Sequence, residues 1–339
     1  MGAFGLEYLP PDDELRLIAQ QREWALGESV WLNNFLPVVD DITTHVMWEV
    51  LGKVGGRATV VDYDGDLRAI PRESITAYIA ESLIWGGMVR LGEKELLELQ
   101  KYRTGSPSYS AAIDKLFARK VLQLDERLEK ALAWVRLNAL LGKVSLDENG
   151  IKRTIKYGLT YDIDNPLAAG SDWSNLGTGT PLTNLDTIAN SFVGSGGKMK
   201  WVILNSNVMA YIVRNTVEVK EMFKQSDWAT RLSVTRGPDI LKVIFPYIDF
   251  IVYDGVIDGS LIVPDDYIVC IADGGERLGE FVSTVTLRHG DIRTPAAGKF
   301  TRTIDKTDED PPHVKIIHGM AGIPVLYHPE WVTVVDVKP

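Results

Sequence analysis

The sequence has little of the side-chain chemistry on which redox and metal proteins rely. Its 339 residues include one cysteine, Cys270, and five histidines. A single thiol cannot form an intrachain disulfide or a thiolate zinc site, and no two histidines have the i, i+4 spacing of ligands on one helix face. Cys270 lies between Val269 and Ile271, so we interpret it as a small apolar side chain inside a strand. We therefore predict no metal and no cofactor.

Long apolar runs and basic stretches are also missing. No run of eighteen apolar residues occurs, so we predict no membrane span. The first residues lack a basic segment followed by an apolar one, which predicts no secretory signal and a chain that stays in the cytoplasm where it is made. The formal charge is −10, and no basic stripe typical of a sequence-specific nucleic-acid binder is present. The negative sign opposes non-specific phosphate binding but does not exclude a surface that merely tolerates a nucleic acid.

Glycine-rich segments resemble nucleotide-binding loops only in part. The run Gly194–Lys198 ends in Gly-Lys, but Phe192 replaces the first glycine of a phosphate loop and Met199 replaces the magnesium-binding hydroxyl residue. The run Gly274–Gly279 lacks the dinucleotide-binding spacing. No Gly-x-Ser-x-Gly elbow of an α/β-hydrolase occurs either. We predict no catalytic residues and no enzyme.

Acidic residues cluster in several places. Asp62, Asp64, Asp66 and Glu73 have part of a calcium-loop spacing, but the glycine is at the fourth position of that loop and Leu67 occupies the sixth. Calcium is therefore the less favoured interpretation. Three further acidic groups are interpreted as solvated surface charge: Asp40-Asp41, Asp265-Asp266 and Asp308-Glu309-Asp310.

The strongest pattern is a long amphipathic helix from Tyr109 to Leu141. Its apolar residues are three or four apart, which is the spacing of one helix face: Ile113, Leu116, Phe117, Val121, Leu124, Leu128, Leu132 and Val135. Charged residues are predicted on the opposite, solvated face: Asp125, Glu126, Arg127, Glu129 and Lys130. Ser108 is a plausible N-cap and Gly142 a plausible end. Such a helix is about 50 Å long, unusual in a domain of this size.

The segments around this helix predict an α+β protein. An Asp-Gly turn at 64–65 between β-prone runs predicts a hairpin excursion over 42–81 that would be marginal alone and would lie against another subunit. Aromatic residues in the first 35 positions indicate an arm that lies on its own body or on a neighbour, and both remain open. After the helix we predict a hairpin (143–146 and 151–157), then helices near 185–193, 207–224 and 238–245, strands at 200–204, 250–253 and 267–272, and a β-rich end over 281–337.

The order of these parts, together with three local motifs, resembles a known family. The motifs are the helix end Ala133–Val144, the Asp-Trp-Ser element at Ser171–Ser174, and the closing segment Asp308–Val332. Together they resemble the lambda-type major capsid proteins of tailed phages, the phage major capsid protein E family. The resemblance covers essentially the whole chain, and the order and spacing of the motifs carry it.

The resemblance implies a Hong Kong 97-type capsid fold with these regions: an N-terminal arm (1–42), an extended β-hairpin called the E-loop (43–80), a peripheral domain (81–165) with a spine helix (109–141), an axial domain (166–300), and C-terminal strands returning to the peripheral domain (301–339). Some relatives form covalent cross-links through an E-loop lysine. Lys53 is the one lysine in 42–81, but nothing else supports that reaction and we do not assign it.

The resemblance further implies a function and partners. The chain would assemble into hexamers and pentamers of an icosahedral head that encloses double-stranded DNA without sequence specificity. A separate scaffolding protein and a portal protein would be partners, and a decoration protein is left open. Three other classes stay as alternatives: an encapsulin-like compartment that encloses a cargo enzyme, a phage tail or baseplate protein, and, most distantly, a hydrolase that uses Asp62 and Asp64.

Overall fold

The computed structural model describes residues 30–43, 45–51, 75–101, 108–148, 151–159, 172–219, 237–257, 259–291 and 294–338. Its α-helices are α1 (Glu93–Lys101), α2 (Ser108–Leu140), α3 (Pro181–Ser191), α4 (Ser206–Arg214) and α5 (Gly237–Ile244). Short 3₁₀ helices occur at Val30–Asn34, Phe192–Ser195 and Pro329–Trp331.

The strands in the first half of the chain are β1 (Val38–Asp40), β2 (His45–Leu51), β3 (Ile75–Glu81), β4 (Leu83–Gly92), β5 (Lys143–Glu148), β6 (Ile151–Lys156) and β7 (Lys198–Leu204). Those that follow are β8 (Asp249–Val252), β9 (Val256–Ile257), β10 (Ser260–Leu261), β11 (Tyr267–Asp273), β12 (Gly279–Ser283), β13 (Thr286–Asp291), β14 (Thr294–Ala296), β15 (Lys299–Lys306), β16 (His313–Leu326) and β17 (Val332–Asp336).

The chain divides into two compact units, each built from three stretches of sequence. The first unit comprises residues 1–46, 79–136 and 280–324, and the second comprises 47–78, 137–279 and 325–339. Most of α2 belongs to the first unit.

The first unit is a helix packed on a five-stranded sheet. The long strand β16 lies in the middle, with β15 antiparallel on one side and β4 antiparallel on the other. Strand β12 also pairs with β16, and β1 runs parallel to β12. Alternate residues of β4 and β16 point to α2. Their apolar side chains form a buried cluster with residues of α2 and with one residue of α1, Leu96: Leu91, Leu96, Phe117, Val121, Leu124, Val314 and Ile316.

Helix α2 confirms the predicted long helix, with each boundary one residue earlier than expected. It has 33 residues. Six of the eight residues of the predicted apolar stripe are buried: Phe117, Val121, Leu124, Leu128, Leu132 and Val135. Gly142 ends it as predicted, with a φ of +95° and an amide that donates to the Ala139 carbonyl. The prediction of a wholly solvated charged face is wrong at Asp125, whose side chain is fully buried.

The second unit contains a mixed sheet in the order β17-β11-β7-β8. The predicted strands and helices of this region are confirmed to within a few residues, with one exception. The helix expected over 207–224 is shorter than predicted, because α4 ends at Arg214 and Asn215 is its C-cap residue. The Asn215 side chain accepts from the amides of Val217 and Glu218 and donates to the Gly179 carbonyl, so it replaces the next helical hydrogen bonds.

Four two-stranded ribbons complete the described strands, and they are β2–β3, β5–β6, β9–β10 and β13–β14. Strands β5 and β6 pair from Lys143 opposite Lys156 to Glu148 opposite Ile151, which confirms the predicted hairpin. Strands β2 and β3 pair at the base of the predicted excursion. Its tip, residues 52–74, lies outside the described residues, as do the four acidic residues of the calcium-loop pattern. No helix in the described ranges is long and apolar enough to cross a membrane.

Candidate functional site

A cluster of ionisable side chains lies between α2 and the five-stranded sheet. Asp125 and Glu129 are one turn apart on the helix, and Lys299 and His318 come from β15 and β16. The Lys299 ammonium is 3.0 Å from Asp125 Oδ1 and 2.5 Å from Glu129 Oε1. His318 Nε2 is 3.2 Å from the same Asp125 oxygen, and both of these side chains are fully buried. The charged groups are therefore paired inside the unit and not in water.

The neighbours of His318 fix which ring nitrogen carries the hydrogen. An ionised carboxylate can only accept, so Nε2–H donates to Asp125. On the other side, Nδ1 is 2.9 Å from the Thr301 hydroxyl, which can donate to it. Burial by itself raises the pKa of Asp125, but the His318 hydrogen bond and the Lys299 charge together hold that pKa below its usual value. Asp125 is thus a buried carboxylate.

The cluster joins the helix to strands far along the chain. Asp125 Oδ2 has no hydrogen-bond partner among the described residues, so this carboxylate depends on the contacts of its other oxygen. Lys299 is held between two carboxylates, which leaves it poorly suited to act as a base or nucleophile. These ion pairs and hydrogen bonds hold α2 against the five-stranded sheet. We therefore interpret the cluster as stabilising the fold. A signal for Asp125 exists in the sequence, since it is four residues after Val121 and three before Leu128 and so lies beside the apolar stripe.

The sheet face that points away from α2 is partly exposed. Ile84 and Met88 of β4 are 48% and 55% exposed there. They line a groove of about 530 Å³ together with Phe300, Ile304 and Ile317. Gly86, which also lines the groove, is paired with Gly319 of β16. A Cβ on Gly319 would be 2.5 Å from the Trp85 carbonyl oxygen and 3.2 Å from the Gly86 Cα, so the backbones are too close here for a side chain.

Three aromatic rings anchor the base of the β2–β3 ribbon. Trp48 of β2 stacks on Tyr78 of β3, with ring centroids 5.3 Å apart, and on Tyr157, which follows β6, at 6.3 Å. Trp48 and Tyr157 are buried, and burial raises the pKa of the Tyr157 phenol. On the other face of the ribbon, Met47 and Ile79 are 69% and 65% exposed. One face of the β2–β3 ribbon is therefore packed against aromatic rings, and the other face exposes apolar side chains to solvent.

The glycine-rich segments serve packing. The run Gly194–Lys198 passes from a 3₁₀ helix into β7, the reverse of the strand-loop-helix order of a phosphate loop. A Cβ at Gly197 would be 2.8 Å from the Ala272 Cβ and 3.3 Å from the Trp331 ring, and one at Gly274 would collide with the same ring. The Trp331 indole donates to the Ser195 carbonyl at 3.3 Å. Both glycine segments therefore make room for one tryptophan.

The cysteine and the acidic residues singled out in the sequence make contacts that stabilise the fold. Cys270 is fully buried in β11, as predicted, and burial raises the pKa of its thiol to about 12. Asp265 accepts hydrogen bonds from Asn205 and Asn207 at 3.1 and 2.7 Å. Glu309 pairs with Lys306 at 2.6 Å. Across the described ranges, no group of three or more His, Cys, Asp or Glu side chains is arranged to hold a metal ion.

Solved structures of similar fold are capsid or capsid-like proteins. A protein assigned as a prophage capsid protein from E. coli CFT073 matches with a TM-score of 0.60 and 15% identity, over 96% of this chain and 98% of that one. The capsid of a native GTA particle matches at 0.51 and 13%, over 91% and 90%. A virus-like particle from Pyrococcus furiosus matches at 0.50 and 13%, over 97% and 100%. These likenesses confirm the expected Hong Kong 97-type α+β capsid fold.

Sequence comparison agrees with the fold. No curated protein matches the chain. The family model described as phage major capsid protein E matches residues 90–333, well over half of the chain. This match begins near the end of β4 and ends in β17, so it takes in α2, nearly all of the four-stranded sheet, and strands β12, β15 and β16 of the five-stranded sheet. The protein therefore belongs to the phage major capsid protein E family and is a structural subunit of a tailed-phage capsid.

Proposed function

We propose that the chain assembles into hexamers and pentamers of an icosahedral head that encloses the double-stranded DNA of a tailed phage. The observation that carries this proposal is the family match over residues 90–333 on a capsid fold. The buried charge cluster and the glycine packing support a structural subunit and not an enzyme. The DNA would be lined without sequence recognition, in keeping with a net charge of −10.

We assign the regions of the subunit as follows. Residues 1–42 are the arm, 43–80 the E-loop, 81–165 the peripheral domain, 166–300 the axial domain and 301–339 the returning strands. The paired strands β2 and β3 support the E-loop assignment, because they bracket residues 52–74. The 33-residue α2 supports the spine-helix assignment.

Contacts between copies would use apolar side chains that single chains leave exposed. Met47 and Ile79 lie on one face of the E-loop base. In the proposed axial domain, Val243 and Tyr247 are 70% and 58% exposed, at and just beyond the end of α5. Closed shells need such surfaces to be buried by several similar neighbours.

Further partners follow from assembly in the host cytoplasm. We propose a separate scaffolding protein that guides curvature and a portal protein at one vertex, with a decoration protein as an optional addition. An encapsulin-like compartment shares the general fold but would enclose a protein cargo. A tail structural protein would form tubes or discs instead of closed heads. The family match favours the phage head over both.

The test is assembly of the purified chain, alone and with its scaffolding protein, followed by negative-stain electron microscopy. We expect the purified components to form closed shells of uniform diameter. Particles isolated from infected cells should protect their DNA from nuclease. Shells that hold a folded enzyme and no DNA would support the encapsulin alternative. A chain that stays monomeric with its scaffolding protein would contradict the proposal.

A further inference from the structure

The β5–β6 ribbon has an apolar face and a wholly polar face. Residues directly opposite each other share a face, so the pairing of the two strands settles which side chains lie together. Val144, Leu146 and Ile155 lie on the apolar face and are buried or half-buried. The other face, which we call the lysine face, carries three opposed pairs of exposed side chains: Lys143 with Lys156, Ser145 with Thr154, and Asp147 with Lys152.

The lysine face carries unbalanced positive charge. Lys152 is 3.1 Å from Asp147, so the charges of that pair balance. Lys143 and Lys156 are directly opposite each other, and within the described chain neither is paired with a carboxylate. Like charges at directly opposed positions destabilise the pairing of two strands. An anion that contacts both ammonium groups would remove this repulsion, so the face favours an anionic ligand.

The composition of the lysine face favours a phosphate backbone over an acidic protein surface. Protein–protein interfaces have an apolar, often aromatic core and are depleted in lysine and serine. Contacts to nucleic-acid phosphates use lysine, serine and threonine side chains and need no apolar core. All three residue types lie on this face, and its six side chains include no apolar one. Lysine binds phosphate as a point charge, so such contacts hold DNA without reading its sequence.

The net charge of the chain makes a local cationic surface necessary for contact with DNA. At −10, the subunit as a whole repels phosphates. We propose that the lysine face is a contact surface for the phosphate backbone of packaged duplex DNA, with Lys143 and Lys156 as its cationic groups and the Ser145 and Thr154 hydroxyls beside them. This inference rests on the proposed DNA-filled head and adds which surface of the subunit meets the DNA.

Lysine acetylation read by mass spectrometry tests the contact in the intact protein. The same dose of an acetylating reagent is applied to the unassembled chain, to empty shells and to DNA-filled heads. Lys94 on α1 and Lys198 on β7 are the control lysines, because both are exposed and neither is on the lysine face. Protection by DNA then differs from protection by a neighbouring copy, which empty shells already contain.

The expected result is specific to the filled heads. Acetylation of Lys143 and Lys156 should fall about fivefold between empty shells and filled heads, the upper size of an exposed ion-pair effect. Both lysines should react equally in empty shells and in the unassembled chain, and the control lysines should change little. Equal reactivity of the lysine face in empty and filled particles overturns the proposal. Full protection already in empty shells assigns the face to a protein neighbour and overturns it as well.

A charge variant tests the two lysines directly. Lys143→Gln combined with Lys156→Gln removes both charges, and Lys94→Gln combined with Lys198→Gln changes the net charge equally. A mixed-sequence 30-base-pair duplex is bound to fragments of opened shells, which present both shell surfaces, and is released with salt. The salt concentration at half release should fall about twofold for the first variant and stay unchanged for the second. Equal release from both variants, or no binding by wild-type fragments, contradicts the proposal.

Failure of this contact is distinguishable from failure of the shell function. DNA-filled heads in which the lysine face stays reactive contradict the contact and leave the proposed function standing. Closed particles that never contain DNA contradict the proposed function itself. The acetylation experiment uses the wild-type chain, so it remains decisive even where a substituted chain does not assemble.

Discussion

At the scale of single residues, Asp125 is a fully buried carboxylate that contacts both Lys299 and His318. Asp125→Asn keeps the shape of the side chain but removes the charge that pairs with Lys299 and weakens the acceptor for His318. Loss of one partner from a buried ion pair typically costs about 3 kcal/mol. We expect a clear fall in the urea midpoint of unfolding. The control is Asp147→Asn, whose ion pair with Lys152 is solvent-exposed and whose loss should leave the midpoint unchanged.

The same residue predicts an acid dependence of stability. The folded pKa of Asp125 lies below its ordinary value of 3.8. A carboxyl group with a lowered folded pKa stabilises the protein above its unfolded pKa and loses that contribution as the pH falls through the folded pKa. Wild type should therefore lose stability steeply below about pH 4, and Asp125→Asn should lose less. Parallel curves for the two proteins between pH 5 and pH 2 would contradict this assignment.

The pair Gly86–Gly319 gives a steric prediction. Gly319→Ala puts a Cβ 2.5 Å from a backbone oxygen of β4, and neither strand can move without disturbing the pairing on both sides of β16. We expect destabilisation of about 2 kcal/mol by thermal unfolding. Gly92→Ala is the matched control, because the added Cβ meets nothing within 4 Å. Equal effects of the two substitutions would show that backbone entropy and not close approach explains the glycine.

At the scale of elements, the β2–β3 ribbon depends on its aromatic base. A two-stranded ribbon is marginal by itself, so the stack of Trp48 on Tyr78 and Tyr157 must supply the missing burial. Trp48→Ala should cost about 3 kcal/mol and remove much of the near-ultraviolet circular dichroism of the stack. Met47→Ala, one residue away on the exposed face, should change neither quantity in the free chain. If Met47→Ala proves the more disruptive of the two in that chain, the assignment of the two faces is reversed.

At the scale of the whole molecule, stability should depend on assembly. In the proposed assembly, the exposed apolar residues of the β2–β3 ribbon and of the region around α5 would be buried when copies associate, and burial restricted to the assembled state stabilises that state by mass action. Shells should therefore melt at a higher temperature than the unassembled chain in differential scanning calorimetry. Met47→Ala and Val243→Ala should lower the shell transition while leaving the free chain unchanged. Identical transitions for free and assembled wild type would contradict this picture.

The position and length of the helices and strands could be predicted from the sequence because their signals are local. Apolar spacing of three and four determines the stripe of α2, and Gly142 determines its end, whatever the helix packs against. The resemblance of the chain to a capsid family also depends on the order of such local elements. The early end of α4 could not be predicted, since the Asn215 side chain acts there together with Gly179, 36 residues away.

The sequence by itself determined the elements, their order and the family to which that order belongs. The tertiary structure alone decided which charges and faces of those elements are buried. The sequence places Asp125 beside the apolar stripe, but its partners Lys299 and His318 are 174 and 193 residues away and no local pattern indicates them. The groove is lined by residues of β4, β15 and β16, and β4 is distant in the sequence from the other two strands. Burial is a property of the neighbours that the fold supplies, and no local pattern specifies them.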